Sequence, residues 1–577
     1  MHDGSSILER TFRVALTGFT KAVAIPFYQR KLRRFEDMLA RAHSIQRALL
    51  FEKLRRCAET RFGRDHGFSK IATVDDFRRQ VPISTYDYAA PYITEVTEGR
   101  INALFPADEQ ILGFACTTGT TGEPKLNPVT RTWLREYLRS WEIWGVKGVV
   151  EHPEMIGRKV LQVMGPGDLD RAPNGLSIGM VSSFANRLQN RVYRSFYAVP
   201  PEVANIRDSL AKYYTILRLS MTSPVGLLVA ITPANLLRLA KTGDEQRERL
   251  IRDIHDGTLC DSLEVSQAFR QKFARSIQVK RPERARELEQ IVERTGTLYP
   301  KDYWPLSLVA CWLGGTVGYQ SRELPRYYGA VPTRDLGLVS NEGRHTVPLR
   351  DGTPEGVLAV DGSYYEFIAA DERGSSQARI FECHELEVGR KYYIIMTTSA
   401  GLYRYDIGDL VRCNSYIGQA PVLEFLRKEG QCADMEGEKV SGHQVAQAVE
   451  VAARELGLCV ECFMAVPVRR DGQIPYYALL VERPVIEDSS VARQFLRIVD
   501  REVIQQNVMY AGKRNDRYID SPQLVRLAPG TWSDYVAAET QRSGTGDSQY
   551  KHPALVPDTS WLDRFQPVDT ITVDGAR

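Results

Sequence analysis

The segment CTTGTTGEPK, residues 116–125, places four threonines, two glycines and a lysine within ten positions. Glycine interrupts any strand here and proline prevents regular pairing, so the segment is predicted to be a loop. Its hydrogen-bond donors are threonine hydroxyls, backbone N–H groups and the ammonium of Lys125. These donors suit phosphate oxygens, because glycine lets backbone amides approach an anion. The spacing of a P-loop is absent, and a polar surface loop is the alternative interpretation.

Two cysteines at CxxC spacing, Cys459 and Cys462, form the other pattern that could bind a metal. They lie in LCVECFMAVPV, which predicts a β-strand over residues 457–467. Residues three apart in a strand point to opposite faces, so we expect both thiols to be structurally inert. The nine cysteines show no disulfide framework and fit a reducing compartment.

Composition is that of a soluble globular protein, with 43% hydrophobic and 25% charged residues in a chain of 577. The net charge of +3 is too small to indicate nucleic acid as a partner. No apolar run reaches the roughly 18 residues that a membrane helix needs, and no signal peptide is evident. We expect a cytoplasmic monomer without stable membrane insertion. The apolar and then basic segment 14–34 either touches a membrane surface or packs as a helix.

The elements that must position this loop alternate between strand and helix. Residues 33–60 predict one long amphipathic helix, and two charged helices are predicted to end at Gly257 and Gly296. Short buried strands are predicted in five segments, RKVLQVMG (158–165), YTILRLSM (214–221), GLLVAI (226–231), SLVACWLGG (307–315) and LGLVSNEG (336–343). Alternating strands and helices indicate an α/β domain with a largely parallel sheet.

The pattern changes near residue 355, where β-branched and aromatic residues predominate and helical signals are few. This part predicts a mixed or barrel-like β region that completes the large domain. From about residue 430, a helix in SGHQVAQAVEVAAREL is followed by strands and another helix. That order predicts a small α+β domain at the C-terminal end of the sequence.

Three separated segments resemble the motifs of adenylate-forming enzymes. They are TTGTTGEPK at 117–125, LVSNEG at 338–343 and AGLYRYDIGDLVRC at 400–413. Within that superfamily the chain resembles most closely the GH3 family of acyl acid–amido synthetases. Further segments match that family in order from about residue 50 to 553, namely RFGRDHGF, DFRRQVPISTYDYAAPYI, YYEFI, TTSAGLYRYDIGD and SQYKHP.

The resemblance implies both a fold and a reaction. The fold is α/β: a large N-terminal domain (1–425) of parallel-rich sheets with a β-barrel-like part, a hinge (426–430), and a small mobile C-terminal α+β domain (431–577). The reaction uses ATP and Mg²⁺ to activate a small carboxylic acid as acyl-adenylate, with release of pyrophosphate. An amine, expected to be an amino acid, then displaces AMP to form an amide.

The resemblance also implies which residues bind ATP. They lie in or beside the three motifs and the hinge: Thr117, Thr118, Gly119, Thr120, Thr121, Gly122, Thr316, Ser340, Tyr403, Asp409 and Arg427. The hydroxyls of Thr118, Thr120 and Thr121 are expected on the phosphates. Asp409 is expected to accept hydrogen bonds from both ribose hydroxyls, and a β-turn aspartate is the alternative.

Three further residues are implied to be catalytic. Glu342 matches a Mg²⁺ ligand, Lys125 closes the phosphate loop, and Lys551 matches a lysine that the C-terminal domain brings to the phosphates. A surface glutamate and a solvated loop lysine are the alternatives for Glu342 and Lys551. FLRKEG matches the hinge, with Arg427 and Lys428 as its basic pair, so that two orientations of the small domain serve the two half-reactions.

Some positions depart from the family pattern. Leu338 replaces a tyrosine that stacks on adenine, Asn341 replaces a small hydroxyl residue, and Thr117 replaces serine. None of these departures removes a charge, so activity is expected to survive. The acyl pocket is expected from residues 130–240 and the strands around 310–340, with 221–237 as either pocket wall or core. An acyl-CoA ligase and a non-catalytic nucleotide-binding relative remain as alternatives.

Overall fold

The computed structural model describes residues 24–117, 125–165, 169–187, 195–375, 377–429, 432–470, 473–543 and 550–573. Within these ranges, the α-helices of the large domain are α1 24–39, α2 Ala42–Arg56, α3 Arg61–Asp65, α4 Val74–Gln80, α5 Tyr86–Thr97, α6 Arg131–Glu151, α7 Val181–Arg187, α8 Ser209–Ser220, α9 Pro233–Glu245, α10 Arg247–Asp256, α11 Gln267–Lys272, α12 Ala274–Ile277, α13 Pro282–Thr295, α14 Pro300–Tyr303 and α15 Leu324–Tyr328. The C-terminal domain holds α16 Gly442–Leu456, α17 Ser489–Gln506, α18 Val508–Asn515 and α19 Thr531–Ser543.

The strands of the large domain are β1 Ile111–Thr117, β2 Lys125–Thr130, β3 Lys159–Gln162, β4 Asp170–Arg171, β5 Ser177–Gly179, β6 Val225–Val229, β7 Leu308–Ala310, β8 Thr333–Arg334, β9 Thr346–Val347, β10 Glu355–Leu358, β11 Tyr364–Ala369, β12 Ile380–Glu382, β13 Lys391–Thr397, β14 Tyr405–Ile417 and β15 Ala420–Lys428. Those of the C-terminal domain are β16 Cys432–Ala433, β17 Val440–Ser441, β18 Met464–Val468, β19 Tyr476–Glu482, β20 Gln523–Leu527 and β21 Pro567–Ile571. They form five sheets, and the mixed α/β class with a large and a small domain is confirmed.

The predicted long N-terminal helix is two helices. α1 and α2 are separated at residues 40–41, where the Leu39 carbonyl accepts a hydrogen bond from the Gln419 backbone N–H at 2.9 Å. Gly418 has φ +61°, and a Cβ there would lie 2.6 Å from the Cα of Ala40. The β14–β15 turn therefore packs against the break, a contact that helical periodicity alone does not predict.

A parallel sheet of order β3-β6-β7-β8 lies at the centre of one core of the large domain, as predicted. The segment 214–221, predicted as a strand, belongs instead to helix α8, so that prediction is wrong. The Asp208 side chain caps this helix by accepting from the Ala211 N–H at 2.7 Å. Nearly every residue of α8 is buried, and a helix buried all round has no amphipathic period to distinguish it from a strand.

A second sheet, of order β2-β1-β5-β4, carries the threonine-rich loop. β1 and β2 pair antiparallel, and Thr117 faces Lys125 across the pair. The loop therefore connects the ends of two paired strands. Residues 118–124, with the predicted phosphate donors Thr118, Gly119, Thr120, Thr121 and Gly122, lie outside the described residues.

The region after residue 355 joins β9, at residues 346–347, in an antiparallel sheet of seven strands in the order β12-β11-β13-β14-β15-β10-β9. The large hydrophobic core of this sheet also contains side chains of helices α2 to α5. The strand predicted in LGLVSNEG is wrong: residues 336–343 form a tight turn closed by an isolated bridge between Val339 and Arg344. Gly343 accepts from the Ser340 N–H at 2.9 Å, so the polar residues of this motif make a turn.

The C-terminal domain packs α16 and α17 on a sheet of order β18-β19-β20-β21. Helix α16 confirms the predicted helix, and Ser441 and Gln444 form a capping box at its start. The predicted strand at 457–467 begins only at Met464, so Cys459 and Cys462 precede it. Among the described residues, no helix is long and apolar enough to cross a membrane.

Candidate active site

Asp409 lies in β14 directly opposite Lys428 in β15. The Lys428 ammonium donates to Asp409 Oδ1 at 3.2 Å and to the Ile407 carbonyl at 2.7 Å. The Asp409 carboxylate is buried, whereas the Lys428 side chain is largely exposed. The sheet therefore fixes one acidic acceptor beside one cation whose outer part remains accessible.

A glycine sets the backbone conformation of β14 directly before Asp409. Gly408 has φ +70°, and a Cβ there would come within 3.2 Å of the Cβ of Glu429. Its N–H donates to Asp406 Oδ1 at 2.8 Å, and its carbonyl accepts from the Glu429 N–H. Glycine adopts this conformation without strain. The glycine of YDIGD is therefore needed to place Asp409, the next residue, at this point of the strand.

Glu342 lies in the tight turn that begins at Ser340. Its N–H donates to Ser340 Oγ at 3.1 Å, and Ser340 Oγ lies 2.9 Å from His345 Nε2. Burial lowers the pKa of His345 to about 3, so this imidazole is neutral and acts as a fixed hydrogen-bond partner. The indole of Trp133 donates to the Glu342 carbonyl at 2.8 Å and ties the turn to helix α6.

The Glu342 side chain reaches the strand that follows the threonine-rich loop. Asn127, in β2, donates through Nδ2 to Glu342 Oε1 at 3.4 Å. The Asn127 side chain is 1% exposed, and its Oδ1 has no hydrogen-bond partner in the described part of the chain. A buried oxygen without a partner next to a carboxylate is unusual, because buried polar atoms are nearly always paired.

Lys551 approaches the same site from the C-terminal domain. Its ammonium lies 4.1 Å from the ring centroid of Trp312, a residue of the large domain whose indole donates to the Gly337 carbonyl. The neighbouring His552 is buried and donates through Nε2 to the Phe463 carbonyl at 2.9 Å. This bond anchors the segment, so Lys551 is presented to the large domain.

The charges of the two domains interact at this point. Burial raises the pKa of Asp409, Lys428 and Lys551 lower it, and Glu342 raises it further. Lys551 is an exposed residue, yet the protein around its ammonium lowers its pKa to about 8, against the influence of Asp409. Two acidic and two basic side chains from separate parts of the chain thus form one electrostatic group.

Polar contacts also join the C-terminal domain to the large domain. Tyr319 and Gln320 of the large domain both donate to the carbonyl of Glu461, at 3.0 and 2.7 Å. The Glu461 carboxylate pairs with Lys241, and Arg322 pairs with Glu450 of α16. Burial raises the pKa of Cys462, close to these contacts, to about 12, so its thiol is protonated.

The remaining predicted site residues lie at varying positions. Lys125 is exposed, and its ammonium lies 5.5 Å from the ring centroid of Tyr86. Thr316 is half-buried at the domain boundary, where its methyl lies close to Gly442 at the start of α16. Arg427 is half-buried in β15 and faces Leu410 across the strand pair.

Tyr403 does not join this group. It is buried in the core, where its ring stacks on Phe62 with centroids 4.8 Å apart and meets the edge of Phe68 at 4.9 Å. Burial raises its pKa well above the usual range, and the Cys57 thiol adds to the rise. The structure therefore gives Tyr403 a packing role, because its buried ring contacts two phenylalanines of the core.

Sequence reasoning missed several residues at this site. Lys428 was assigned only to the hinge, although antiparallel pairing of β14 and β15 would have placed it opposite Asp409. Trp312 and Asn127 carried no motif signal. Their positions follow from tertiary packing between segments far apart in the sequence, so no local pattern announces them.

The comparisons with known proteins cover nearly the whole chain. Family models match residues 31–333 as the GH3 family N-terminal domain, 356–428 as the central domain and 443–560 as the C-terminal domain. An indole-3-acetic acid-amido synthetase, GH3.8 of Oryza sativa subsp. indica, is 25% identical over 91% of this chain and 90% of its own length. A second indole-3-acetic acid-amido synthetase, GH3.4 of Arabidopsis thaliana, is 22% identical over 96% of this chain and 94% of its own length.

The fold is also that of a solved relative. The structure of the GH3.15 acyl acid amido synthetase matches with a TM-score of 0.80 at 20% identity, covering 94% of this chain and 96% of that one. A second structure of this synthetase, in complex with 2,4-DB, matches with a TM-score of 0.81. With the family model of the N-terminal domain matching more than half of the sequence, the chain belongs to the GH3 family.

Proposed function

We propose that this protein is an ATP-dependent acyl acid–amido synthetase. It activates a carboxylic acid as acyl-adenylate, releases pyrophosphate, and transfers the acyl group to an amine, for which an amino acid is the expected class. The observation that carries the proposal is the meeting of Glu342, Asp409 and Lys551, three residues from separate motifs and two domains, in one electrostatic group.

The chemistry explains why such a group is needed. A carboxylate and the α-phosphate of ATP are both anionic, so their approach requires cations that are already in position. Lys551 supplies a charge over Trp312, and Lys428 supplies a second beside Asp409. Because a lysine bound to a docked domain can be withdrawn, Lys551 acts in adenylation alone, and the hinge at 426–430 provides its movement.

ATP and Mg²⁺ fit the residues present. The buried Asp409 carboxylate suits the ribose hydroxyls, and the loop between β1 and β2 suits the phosphates. Glu342, with the unpartnered Oδ1 of Asn127, offers the oxygen ligands that Mg²⁺ prefers. When bound there, Mg²⁺ would supply positive charge at the phosphate oxygens. Glu342 holds that position because its turn is tied to α6 through Trp133.

The acyl group has an aromatic wall beside this centre. Tyr137 and Trp141 lie one turn apart on α6, and both are half-buried. Trp312 and Leu338 are also half-buried and lie on the segments that hold Lys551 and the Ser340 turn. We place the acyl pocket along these side chains, because partly exposed aromatic and aliphatic side chains next to a reaction centre favour an apolar ligand.

ATP–pyrophosphate exchange across a panel of carboxylic acids tests the proposal directly. Exchange that depends on one class of acid supports adenylation, and no exchange with any acid indicates a non-catalytic relative. Amino acids or CoA are then supplied to the enzyme loaded with that acid. Amide formation supports the synthetase, whereas a thioester identifies an acyl-CoA ligase.

The setting of the reaction is part of the same proposal. All nine cysteines are free thiols, which supports the cytoplasm as the compartment. We propose that the enzyme acts there as a monomer, because both domains that contribute to the site belong to one chain. Light scattering of the purified protein, with and without ATP, measures the oligomeric state.

A further inference from the structure

A buried arginine lies on the acyl side of the Ser340 turn with most of its hydrogen-bonding capacity unused. Arg344 is 4% exposed, and its Nη2 donates to the Leu336 carbonyl at 2.7 Å. Its Nε and Nη1 are buried and have no hydrogen-bond partner within the described ranges. Burying a charged guanidinium without an anion is costly, so two unpartnered nitrogens on one such group require an explanation.

The guanidinium of Arg344 packs against an aromatic side chain of α6. Its guanidinium lies 4.6 Å from the ring centroid of Trp141. Burial lowers the pKa of Arg344 to about 10, while Tyr137 and Asp335 oppose the shift. The Asp335 carboxylate is itself occupied, because it accepts from the backbone N–H groups of Leu313 and Gly337. The cation thus faces the half-buried rings of α6 without a carboxylate of its own.

The position of Arg344 separates it from the reacting atoms. Helix α6 touches the Ser340 turn at two points: Trp133 bonds the Glu342 carbonyl, and Trp141 lies under Arg344. These two tryptophans are two turns apart, about 12 Å along the helix axis at 1.5 Å per residue. The Glu342 carboxylate accepts from Asn127 of β2, whereas the Arg344 guanidinium packs on Trp141 of α6. An acyl acid whose carboxylate reacts beside Glu342 would therefore bring its far end to Arg344.

We propose that Arg344 binds a second anionic group at the far end of the acyl acid, so that the preferred substrates are apolar or aromatic acids with two anionic groups. This inference rests on the proposed function and narrows its substrate class. An oxygen anion would satisfy the unpartnered nitrogens and compensate the buried charge, and planar guanidinium geometry suits a carboxylate. The rings of Tyr137 and Trp141 would cover the middle of the ligand.

Matched pairs of acids test the inference. We would measure kcat/KM in ATP–pyrophosphate exchange for benzoate against terephthalate, and for 3-phenylpropanoate against its 4-carboxy derivative. The full-length enzyme is expected to prefer the diacid in at least one pair. Arg344→Met should reduce that preference about 10- to 100-fold, the worth of a hydrogen-bonded charge, and leave the monoacid unchanged.

Two further variants separate binding from folding. Arg344→Met retains most of the aliphatic part of the side chain, and it removes an uncompensated charge together with one hydrogen bond to Leu336, so its Tm should change little. Arg218→Met is the matched control, because Arg218 is equally buried but donates through Nε and Nη2 to two backbone carbonyls. The control should lower the Tm and leave the diacid preference intact. Arg344→Lys should keep part of the preference.

The outcomes distinguish this inference from the proposed function. A monoacid preference in both pairs, or an equal loss for both acids in Arg344→Met, would overturn the inference while leaving adenylation intact. If no acid supports exchange, the proposed function fails. Calorimetric binding of terephthalate then decides the inference: binding lost in Arg344→Met supports it, and binding that is absent or unchanged by the substitution overturns it.

Discussion

The large domain and the C-terminal domain hold their parts of the candidate site in different ways. Asp409 is fixed within a seven-stranded sheet and Glu342 within a turn bonded to α6. Lys551 instead belongs to a segment anchored to its own domain through His552, and its ammonium lies against the ring of Trp312 in the large domain. One half of the site is built into a core, and the other is delivered by docking.

This difference has a kinetic consequence. Groups fixed in a core are present in every state of the enzyme, so they suit binding of ATP before and during reaction. A charge brought by docking can be present in one step and absent in the next, so it suits stabilisation of a transition state. We therefore expect substitutions in the fixed half to alter affinity, and those in the docked half to alter rate.

The largest effect is expected for Lys551→Ala. Loss of a positioned cation should lower the rate of ATP–pyrophosphate exchange by about 10²-fold or more. Binding of ATP, measured by calorimetry, should change far less. Supplied with acyl-adenylate prepared in advance, the variant should form amide at close to the normal rate.

Lys513→Ala is the control for this experiment. The Lys513 ammonium lies over an aromatic ring of its own domain, 4.8 Å from the centroid of Tyr518, whereas Lys551 lies over a ring of the large domain. It should leave both half-reactions unchanged. Equal damage to both half-reactions in Lys551→Ala would mean that the lysine does not leave between them, and the proposed hinge would be wrong.

Asp409→Ala tests the fixed half through ATP affinity. Removing a charged acceptor for two ribose hydroxyls should cost about 1.5–3 kcal/mol of binding free energy. Acyl-acid binding, measured in the same variant, serves as the internal control and should change little. The ribose assignment is wrong if ATP affinity stays within about twofold of the unmodified enzyme.

Glu342→Gln should reduce the adenylation rate about tenfold, with partial recovery at high Mg²⁺. The substitution keeps the size of the side chain and the backbone bond to Trp133, so the fold should be preserved. A Mg²⁺ titration of the exchange rate, beside a thermal unfolding curve, measures both effects. An unchanged Mg²⁺ dependence would remove the metal role from this residue.

The pH dependence of exchange provides a smaller test of the docked half. The pKa of Lys551 is about 8, so its ammonium is charged below that pH and loses its charge above it. kcat/KM should therefore fall as pH rises through about 8, approaching tenfold per unit. Lys551→Arg stays charged throughout and should abolish this fall. The same decline in both enzymes would assign the titration to another group.

How far the sequence predicts this molecule depends on the type of signal. Turn chemistry was sufficient for α10 and α13, which end at Gly257 and Gly296 as predicted. Because α8 is buried on all sides, its sequence has no amphipathic period, and the prediction of a strand there is wrong. The polar residues at Ser340 form a turn and not the end of a strand. Local patterns report local geometry, and neither case could be resolved without the tertiary environment.

The residues of the candidate site also differ in whether a sequence signal predicts them. Motif resemblance located Asp409, Glu342 and Lys551, which lie together. It assigned Tyr403 to ATP, although that ring is packed in the core. It gave no sign of Arg344, because an unsatisfied hydrogen-bonding group is a property of the folded chain and leaves no spacing in the sequence.

The smallest effect is expected for the pair Cys459 and Cys462. The strand argument for their inertness was wrong, since both precede β18, but the structure supplies a better one. Burial raises the pKa of each thiol to about 12, and the Glu323 and Glu461 carboxylates add to the rise at Cys459. Both thiols are therefore protonated at neutral pH and react poorly as nucleophiles.

Replacing both cysteines by alanine should therefore leave turnover and metal content unchanged. Glu461 lies between the two cysteines in the sequence, and its carbonyl accepts hydrogen bonds from Tyr319 and Gln320 of the large domain. The test is therefore sensitive to any disturbance of this contact. Tyr319→Phe, which removes one of these bonds, is the comparison: it should weaken docking and slow adenylation modestly. Zinc bound stoichiometrically and lost in the double variant would contradict the inert assignment. A slowed exchange rate without zinc would show that the thiols help to shape the docking contact.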